Sequence, residues 1–466
     1  MKNTNKALNT EILKINKLIK EQNIEVVDIK CIDLTGRLHH ISLPVYPEII
    51  TTLINEGVGF DGSSYGFRKV ENSDMILVPD LATAVIDPFR ESKTLSFYAN
   101  IFLTDEARTP FGQDGRHIAR KAEELVKKYT GGDTSWWGPE FEFYIFSKVK
   151  YDTRTSASFY EVEHAEEFFT NAYHAANPFD VYDDFRDKAC KMLKDFGIKV
   201  KYHHHETGER GQQEIETYFE TLLKTADNVV TVKYALFNLA RQNNIHITFM
   251  PKPMFKQPGS GMHVHTFLTK NGKNAFYKKG EYGNINELGR YFIGGLLKNG
   301  RVLSAFTNPS TNSYKRLVPG FEAPVALTYS KGNRSSAIRI PSYVSNPEMT
   351  RFEYRPPDST ANPYLCLSAI LMAGIDGIIN KIDPVKEGFG PFEKNIVDHA
   401  HHEKVDFLPR NLEESLDALE QDSEFLRRDN VFSDELIKQW IENKHREINS
   451  INTMPHPFEY KMYFTL

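Results

Sequence analysis

Carboxylates, histidines and arginines recur in this sequence in short runs able to hold cations and anions side by side. Glu140-Phe-Glu142-Phe-Tyr-Ile-Phe146 reads as a strand, and alternation puts both glutamates on one face. Like charges on one strand face repel, so a solvated face is the ordinary explanation. The aromatic and apolar neighbours argue that one face is core. A carboxylate at a core edge needs a counter-charge, and a divalent cation is an effective one. His203-His-His-Glu206, with Glu214 after Gly211, reads as a polar loop, or as a transition-metal site, since imidazole suits zinc and its neighbours. In Arg351-Phe-Glu353-Tyr-Arg355 the polar residues alternate, so Arg, Glu and Arg share a face. That is either a ladder of ion pairs or a site for a metal together with anionic oxygens, which the guanidinium fork suits.

Two further runs belong with these. Lys252-Pro-Met-Phe-Lys-Gln-Pro-Gly259-Ser-Gly261-Met-His263-Val-His265 combines glycines that let backbone approach a ligand with two histidines on one strand face. Asn312-Ser-Tyr-Lys-Arg316 through Glu322, then Asn333-Arg334 through Arg339, places four basic residues and an acid among turn formers. A solvated loop explains that last stretch alone. Together the five runs offer oxygen-rich ligands for two hard cations and arginines for phosphate and carboxylate, which is the equipment of phosphoryl transfer.

The elements that must carry these residues are mixed. An amphipathic helix opens the chain, with Leu8, Ile12, Ile15 and Ile19 at helical spacing. Short strands follow at Val26–Ile32 and Leu38–Leu43 around the turn Asp33–Gly36, then near Met75–Val78 and Thr94–Leu103. Helices are expected over Gly115–Tyr129 and from about Pro178 to Phe196, the second capped by Gly197. The glycine- and proline-rich stretches 251–261 and 356–363 read as site loops rather than linkers. No internal repeat or long linker appears.

With 466 residues, 40% hydrophobic and 26% charged, the chain has ordinary globular composition and enough length to bury a large core. Cys31, Cys190 and Cys366 are too scattered for a disulfide framework, which fits a reducing compartment. The opening stretch has no apolar core of signal-peptide length. The apolar run Tyr364–Ile375 is too short for a membrane span. A cytoplasmic protein is expected. Net charge is −5 with the basic residues dispersed, so nucleic acid is not an expected partner.

At these residues the sequence resembles type I glutamine synthetases from near Val26 to Tyr463. The markers, in the family's order, are Phe60-Asp-Gly-Ser-Ser64 with Asn72-Ser-Asp74, Gly138-Pro-Glu-Phe-Glu142, the His203–Glu206 and Gly211–Glu214 runs, Lys252–His265, Asn312–Pro324, Asn333–Pro341, and Arg351–Asp358 with Asn362–Leu365. The resemblance implies an α+β fold. A β-grasp-like domain would occupy residues 1–115. A catalytic domain, with a curved antiparallel sheet and surrounding helices, would occupy 116–466. It implies a homo-oligomer, a dodecamer of two stacked six-membered rings with active sites between neighbouring subunits. It implies ATP and two or more Mg²⁺ or Mn²⁺ ions, and L-glutamate and ammonium as substrates.

Residue by residue, Glu142, Glu206 and Glu214 match ligands of one cation, and Glu140, His263 and Glu353 those of the second. Gly259, Arg316, Glu322 and Arg355 match glutamate-binding positions. Arg334 matches a position touching both phosphate and substrate, and Arg339 one touching ATP phosphates. His265 and Arg351 fall on the nucleotide side. Asp61 matches the aspartate that binds ammonium and removes its proton, and Glu322 a flap over the acyl phosphate.

Pro258 stands where the family commonly has Asn, Phe267 where it usually has Ser, and Glu348 where a basic residue is common. No tyrosine lies between Tyr364 and Tyr460. The tyrosine adenylylated in one branch therefore has no counterpart, and the shorter, non-adenylylated branch fits. In that branch an arginine near Arg68 and Lys69 links to glutamine feedback. The rivals are a γ-glutamyl ligase for another amine such as a polyamine, a non-catalytic structural relative, and a plain ATP-dependent kinase. The retained Asp61 and the six filled ligand positions favour an ammonia ligase.

Overall fold

The computed structural model describes residues 2–166, 171–320, 323–394 and 405–466. The chain divides into two compact units, Met1–Arg120 and Lys121–Leu466.

The first unit is a twisted sheet with two helices. Its strands are β1 (Val26–Ile32), β2 (Leu38–Pro44), β3 (Val58–Asp61), β4 (Asp74–Pro79), β5 (Val85–Asp87) and β6 (Thr94–Leu103). The order is β2-β1-β6-β4-β3, with β5 also on β6. Only β1 and β6 run parallel, which is the signature of a β-grasp. Six of the seven β1 residues are buried; its charged Lys30 is buried with a partner, Asp87 Oδ2, at 2.6 Å. Helix α1 (Lys2–Glu21) buries Ile15 and Ile19, and α2 (Ile49–Asn55) buries Ile49, Ile50 and Leu53. Strand β3 ends on Asp61, and the Gly-Ser-Ser turn follows it.

The second unit is built on β7 (Thr134–Phe146), thirteen residues long, which changes partner along its length. A hairpin follows, β8 (Lys148–Arg154) with β9 (Ala157–Glu163). The remaining strands are β10 (Val200–His205), β11 (Gln212–Thr217), β12 (Glu220–Thr221), β13 (His246–Thr248), β14 (Val264–Lys270), β15 (Lys273–Asn274), β16 (Ala326–Lys331), β17 (Ser336–Ile340) and β18 (Phe352–Tyr354). Among the described residues the main sheet runs β10-β11-β7-β14-β18-β17-β16, with β12 and β13 also on β7 and β15 on β14. It is antiparallel except for β16 and β17.

Helix α3 (Gly115–Leu125) ends earlier than expected, in a π-helical turn over Val126–Thr130. Helix α4 (Asp183–Asp195) starts five residues after Pro178. The reason is local: Asp180 is taken by the buried Arg186, and Val181 is left exposed rather than joining the apolar stripe. Its end is as expected. Gly197, at φ 76°, donates to Lys194 O, and Ile198 donates to Leu193 O, the paired bonds of a Schellman cap. The His203–His205 run is the end of β10, not a loop.

Behind the sheet, α5 (Leu222–Gln242) packs on β7. Helices α6 (Glu287–Lys298), α7 (Gly300–Thr307) and α8 (Ser313–Arg316) lead to α9 (Pro363–Ile379). Helix α9 is apolar on every side because α5, α6 and α7 surround it. No helix among the described residues is long and apolar enough to cross a membrane.

Candidate active site

Sheet register assembles the site. His204 pairs with Glu214, and Glu214 pairs with Glu142, so one row across β10, β11 and β7 carries a histidine and two glutamates on one face. Two residues back along β7, Glu140 pairs with Glu216 and donates its N–H to His263 O at 2.9 Å. Two further back, Gly138 pairs with His265, His265 with Glu353, and Glu353 with Arg339. Strand alternation puts these rows on the same side of the sheet. Direct cross-strand opposition of like charges destabilises a sheet. The Glu214–Glu142 pair is therefore not explained by folding.

The rows wall a cavity of ≈ 370 Å³. Glu140, Glu142, Glu206, Glu214 and His263 line it, as do Gly259, Arg316, Arg334, Arg339 and Arg355. Glu353 stands just beneath, its Oε1 3.6 Å from His263 Nδ1. Six side chains spread over more than 200 positions of sequence thus lie close together.

Two groups in the cavity wall and just beneath it have the donor atoms of cation sites. Glu140, His263 and Glu353 offer ligand atoms within 4.8 Å of one another, and so do His204, Glu206 and Glu214. In the second group His204 takes the place expected for Glu142. Glu142 stands between the groups, accepting from Gly261 N at 2.6 Å and lying 3.7 Å from His263 Nε2. The three consecutive histidines do not form one site. His203 turns to Asp187, 3.1 Å away, and His205 to Glu166, 2.8 Å away.

The electrostatics differ between the groups. Burial, and next the charge of Glu142, push Glu206 up to about 7. Burial together with Glu140, Glu206 and Glu142 holds Glu214 well above the carboxylate range. Arg334 only partly offsets the charge on Glu206, and a divalent cation is the counter-charge these crowded acids fit. On the other side, burial raises Glu140, but His265 and His263 outweigh it and hold it well below the usual range. Burial likewise opposes ionisation of Glu353, but Arg355 and Arg339 bring it down to about 2. Oxygen-rich donors with a single histidine in the Glu140–His263–Glu353 group suit Mg²⁺ or Mn²⁺.

The arginines have distinct supports. Arg355 Nη1 lies 2.6 Å from Glu353 Oε1, and Arg339 Nε 2.5 Å from its Oε2. Arg316 is anchored by main-chain carbonyls, at 2.7 Å from Pro356 O and 3.1 Å from Arg355 O. Arg334 sits on the turn between β16 and β17, where it meets the Tyr173 hydroxyl. His265 and Arg351 are placed differently. His265 is fully buried and reaches Glu140 Oε1 at 2.8 Å. Arg351 lies over the Phe219 ring, which packs edge-on to His265. Glu322 lies outside the described residues. Asp61 belongs to the first unit. There Ser63, through its hydroxyl and N–H, and Ser64 hold its exposed carboxylate well below the usual range.

Gly259 explains its own identity. A Cβ there would lie 2.6 Å from both Arg316 Cγ and Pro251 O. Gly259→Ala is expected to displace Arg316, with a stability loss of about 1–3 kcal/mol. Thermal unfolding checks this. The cavity also holds Tyr173, Tyr202 and Gln212, none singled out from the sequence, and His204, named there only within the histidine run. His204 had a signal, since it is two residues before Glu206. Gln212 holds Gly259 O at 3.0 Å, a contact that only the fold reveals.

Residues 112–463 match the family model for the glutamine synthetase catalytic domain, and residues 23–104 that for the glutamine synthetase β-grasp domain. The glutamine synthetase of Frankia alni is 42% identical, covering 98% of this chain and all of that one. That of Aquifex aeolicus is 42% identical over 96% and 98% of the two chains. Among solved structures, Plasmodium falciparum glutamine synthetase superposes with a TM-score of 0.87 at 29% identity, over 97% of this chain and 98% of that one. Ligand-free GmaS gives 0.82 at 25% identity, over 96% and 99%. Agreement in both domains and along nearly the whole length means that the chain belongs to the glutamine synthetase family.

Proposed function

We propose that this protein joins ammonia to the γ-carboxylate of L-glutamate at the expense of ATP, giving L-glutamine, ADP and phosphate. The observation that carries this reading is the single cavity in which two acidic donor groups face four arginines. A triphosphate and a carboxylate repel one another, so such a wall is what their reaction requires.

In the first step the γ-carboxylate attacks the γ-phosphorus, the bond to the β-phosphate oxygen breaks, and γ-glutamyl phosphate and ADP result. In the second, ammonia attacks the acyl carbon, phosphate leaves, and the amine loses a proton. Glu140, His263 and Glu353 would hold one Mg²⁺ or Mn²⁺ ion, and Glu142, Glu206 and Glu214 with His204 another; such ions would supply neutralisation of phosphate oxygens. Arg334 and Arg339 stabilise the charge spreading over the transferring phosphoryl group. Arg316 and Arg355, rigidly held from behind, orient the glutamate carboxylates beside Gly259. His265 and Arg351 serve the nucleotide side through Glu140 and Phe219. Glu322, outside the described residues, would by the resemblance shield the acyl phosphate from water.

Asp61 provides the negative charge for ammonium and the acceptor for its proton. Asp61→Ala is expected to cut amide formation about a hundredfold or more while sparing ADP release in the absence of ammonia. Full ammonia-dependent turnover in Asp61→Ala would remove that role. The working form is a cytoplasmic homo-oligomer, a dodecamer with active sites between neighbouring subunits, so native mass measurement should give twelve chain masses. The reading as a whole is tested by glutamine formation from glutamate, ATP and ammonia. Product should appear only with divalent metal, and other amines should substitute poorly. ADP release without glutamine would sink it.

A further inference from the structure

We propose that His205 and Glu166 are positioning residues for the cation site that contains Glu206, an inference that rests on the metal-dependent reading above. His205 pairs with Gln213, one residue along from the His204–Glu214 pair, so its ring points to the face of β10 and β11 turned away from the cavity. There it bridges two groups. Nδ1 lies 2.7 Å from the main-chain carbonyl of Glu206, and Nε2 lies 2.8 Å from Glu166 Oε1. Both side chains are fully buried, and neither lines the cavity.

The Glu206 peptide is thereby held at both ends. Its N–H donates to Gln212 O at 2.9 Å, and its carbonyl accepts from the imidazole. Its side chain has a further guide, since Thr207 N donates to Oε2 at 2.7 Å. This restraint opposes a specific force. Glu206 sits at the end of β10 and faces the negative charges of Glu142 and Glu214, which push a free strand end outward. Packing alone does not call for a histidine here. A buried His–Glu pair costs desolvation that an aliphatic residue would avoid. What leucine cannot supply is a hydrogen bond to the Glu206 carbonyl, steered from behind by a carboxylate. Partners of this kind behind metal ligands fix ligand orientation, and their loss weakens metal binding by about 10- to 100-fold.

The same layer continues to His203 through Arg186. Arg186 Nε lies 3.1 Å from His203 Nδ1, and Arg186 Nη1 lies 3.0 Å from Asp180 Oδ1 and also meets Gln213. The back of these strands is thus a buried polar support, while the front carries the ligands.

The test is Mn²⁺ binding to the nucleotide-free full-length protein by calorimetry, with His205→Ala, Glu166→Ala and Glu166→Gln beside the wild type. The alanine variants are expected to weaken one class of site about 10- to 100-fold and to leave the other unchanged. Their half-saturating metal concentration in turnover should rise in parallel, with kcat restored to within about threefold at saturating Mn²⁺. Glu166→Gln, whose amide oxygen still accepts from Nε2, should stay within about threefold of wild type. Unfolding temperatures without metal report whether each variant folds. If His205→Ala does not fold, the two Glu166 variants decide. Folded alanine variants with wild-type affinity at both sites overturn the inference, as does a loss of kcat that metal does not restore. A wild-type protein that binds no Mn²⁺ or makes no glutamine overturns the underlying reading instead.

Discussion

Glu353→Ala is expected to reduce glutamine formation by about 10³-fold, and to lower folding stability by about 3–5 kcal/mol. Glu353 is completely buried, and both its oxygens are committed, one to Arg355 at 2.6 Å and one to Arg339 at 2.5 Å. It is also the centre of a three-way charge balance, since His263 Nδ1 lies 3.6 Å away. Removing the carboxylate leaves two guanidinium groups without their counter-charge, one of them, Arg355, only 5% exposed. The penalty for an uncompensated buried charge sets the size of the stability loss. The activity loss has a second origin, because the carboxylate is also one of the proposed cation ligands. Glu353→Gln separates the two effects. It keeps the volume and a hydrogen-bonding oxygen but not the charge, so activity should fall nearly as far while unfolding temperature drops less. Glu353→Gln working at near wild-type rate would mean that this carboxylate neither binds metal nor sets the arginines.

Arg334→Ala is the converse case, a large kinetic effect with little structural cost. Arg334 is exposed on the turn between β16 and β17 and lines the cavity. An arginine that meets the phosphoryl group only as its charge spreads is worth about 10³–10⁵ in kcat. A fall of about 10³-fold in the rate of ADP release is therefore expected, with stability unchanged within about 0.5 kcal/mol. Arg334→Lys should recover little, because an ammonium group lacks the planar fork that matches phosphate. Single-turnover measurement without ammonia reads this step alone. A rate within tenfold of wild type would move the phosphoryl contact elsewhere, with Arg339 the next residue to examine.

What could be read from the sequence followed local periodicity. Glu140 and Glu142 share a face because strands alternate, and the apolar residues around them mark β7 as a core strand. Strand β6 was legible to its last residue, since Thr94–Leu103 is rich in β-forming side chains between turn signals. The His203–His205 run was not, because three polar residues in succession carry no apolar alternation. Only pairing to β11, with His204 opposite Glu214, makes it a strand. The same limit hid which of the three histidines joins Glu206 and Glu214, and the retreat of His265 behind Glu140. Both depend on cross-strand register, and register is a property of two segments that neither contains alone. Pro178 looked like the start of α4 by position, but the buried ion pair of Arg186 with Asp180 claimed the residues before Asp183. Phe267 shows what a departure from the family pattern becomes in the fold. It packs against Trp136 and Phe219 and is 7% exposed, so it joins the core under the site.

In the proposed reaction a carboxylate oxygen of glutamate attacks phosphorus before nitrogen arrives. Turnover with glutamate labelled with ¹⁸O in its γ-carboxylate tests this directly, by mass analysis of the phosphate released. One labelled oxygen per phosphate is the predicted result, because that oxygen leaves the substrate bonded to phosphorus. Unlabelled phosphate, with glutamine still formed, would contradict the account.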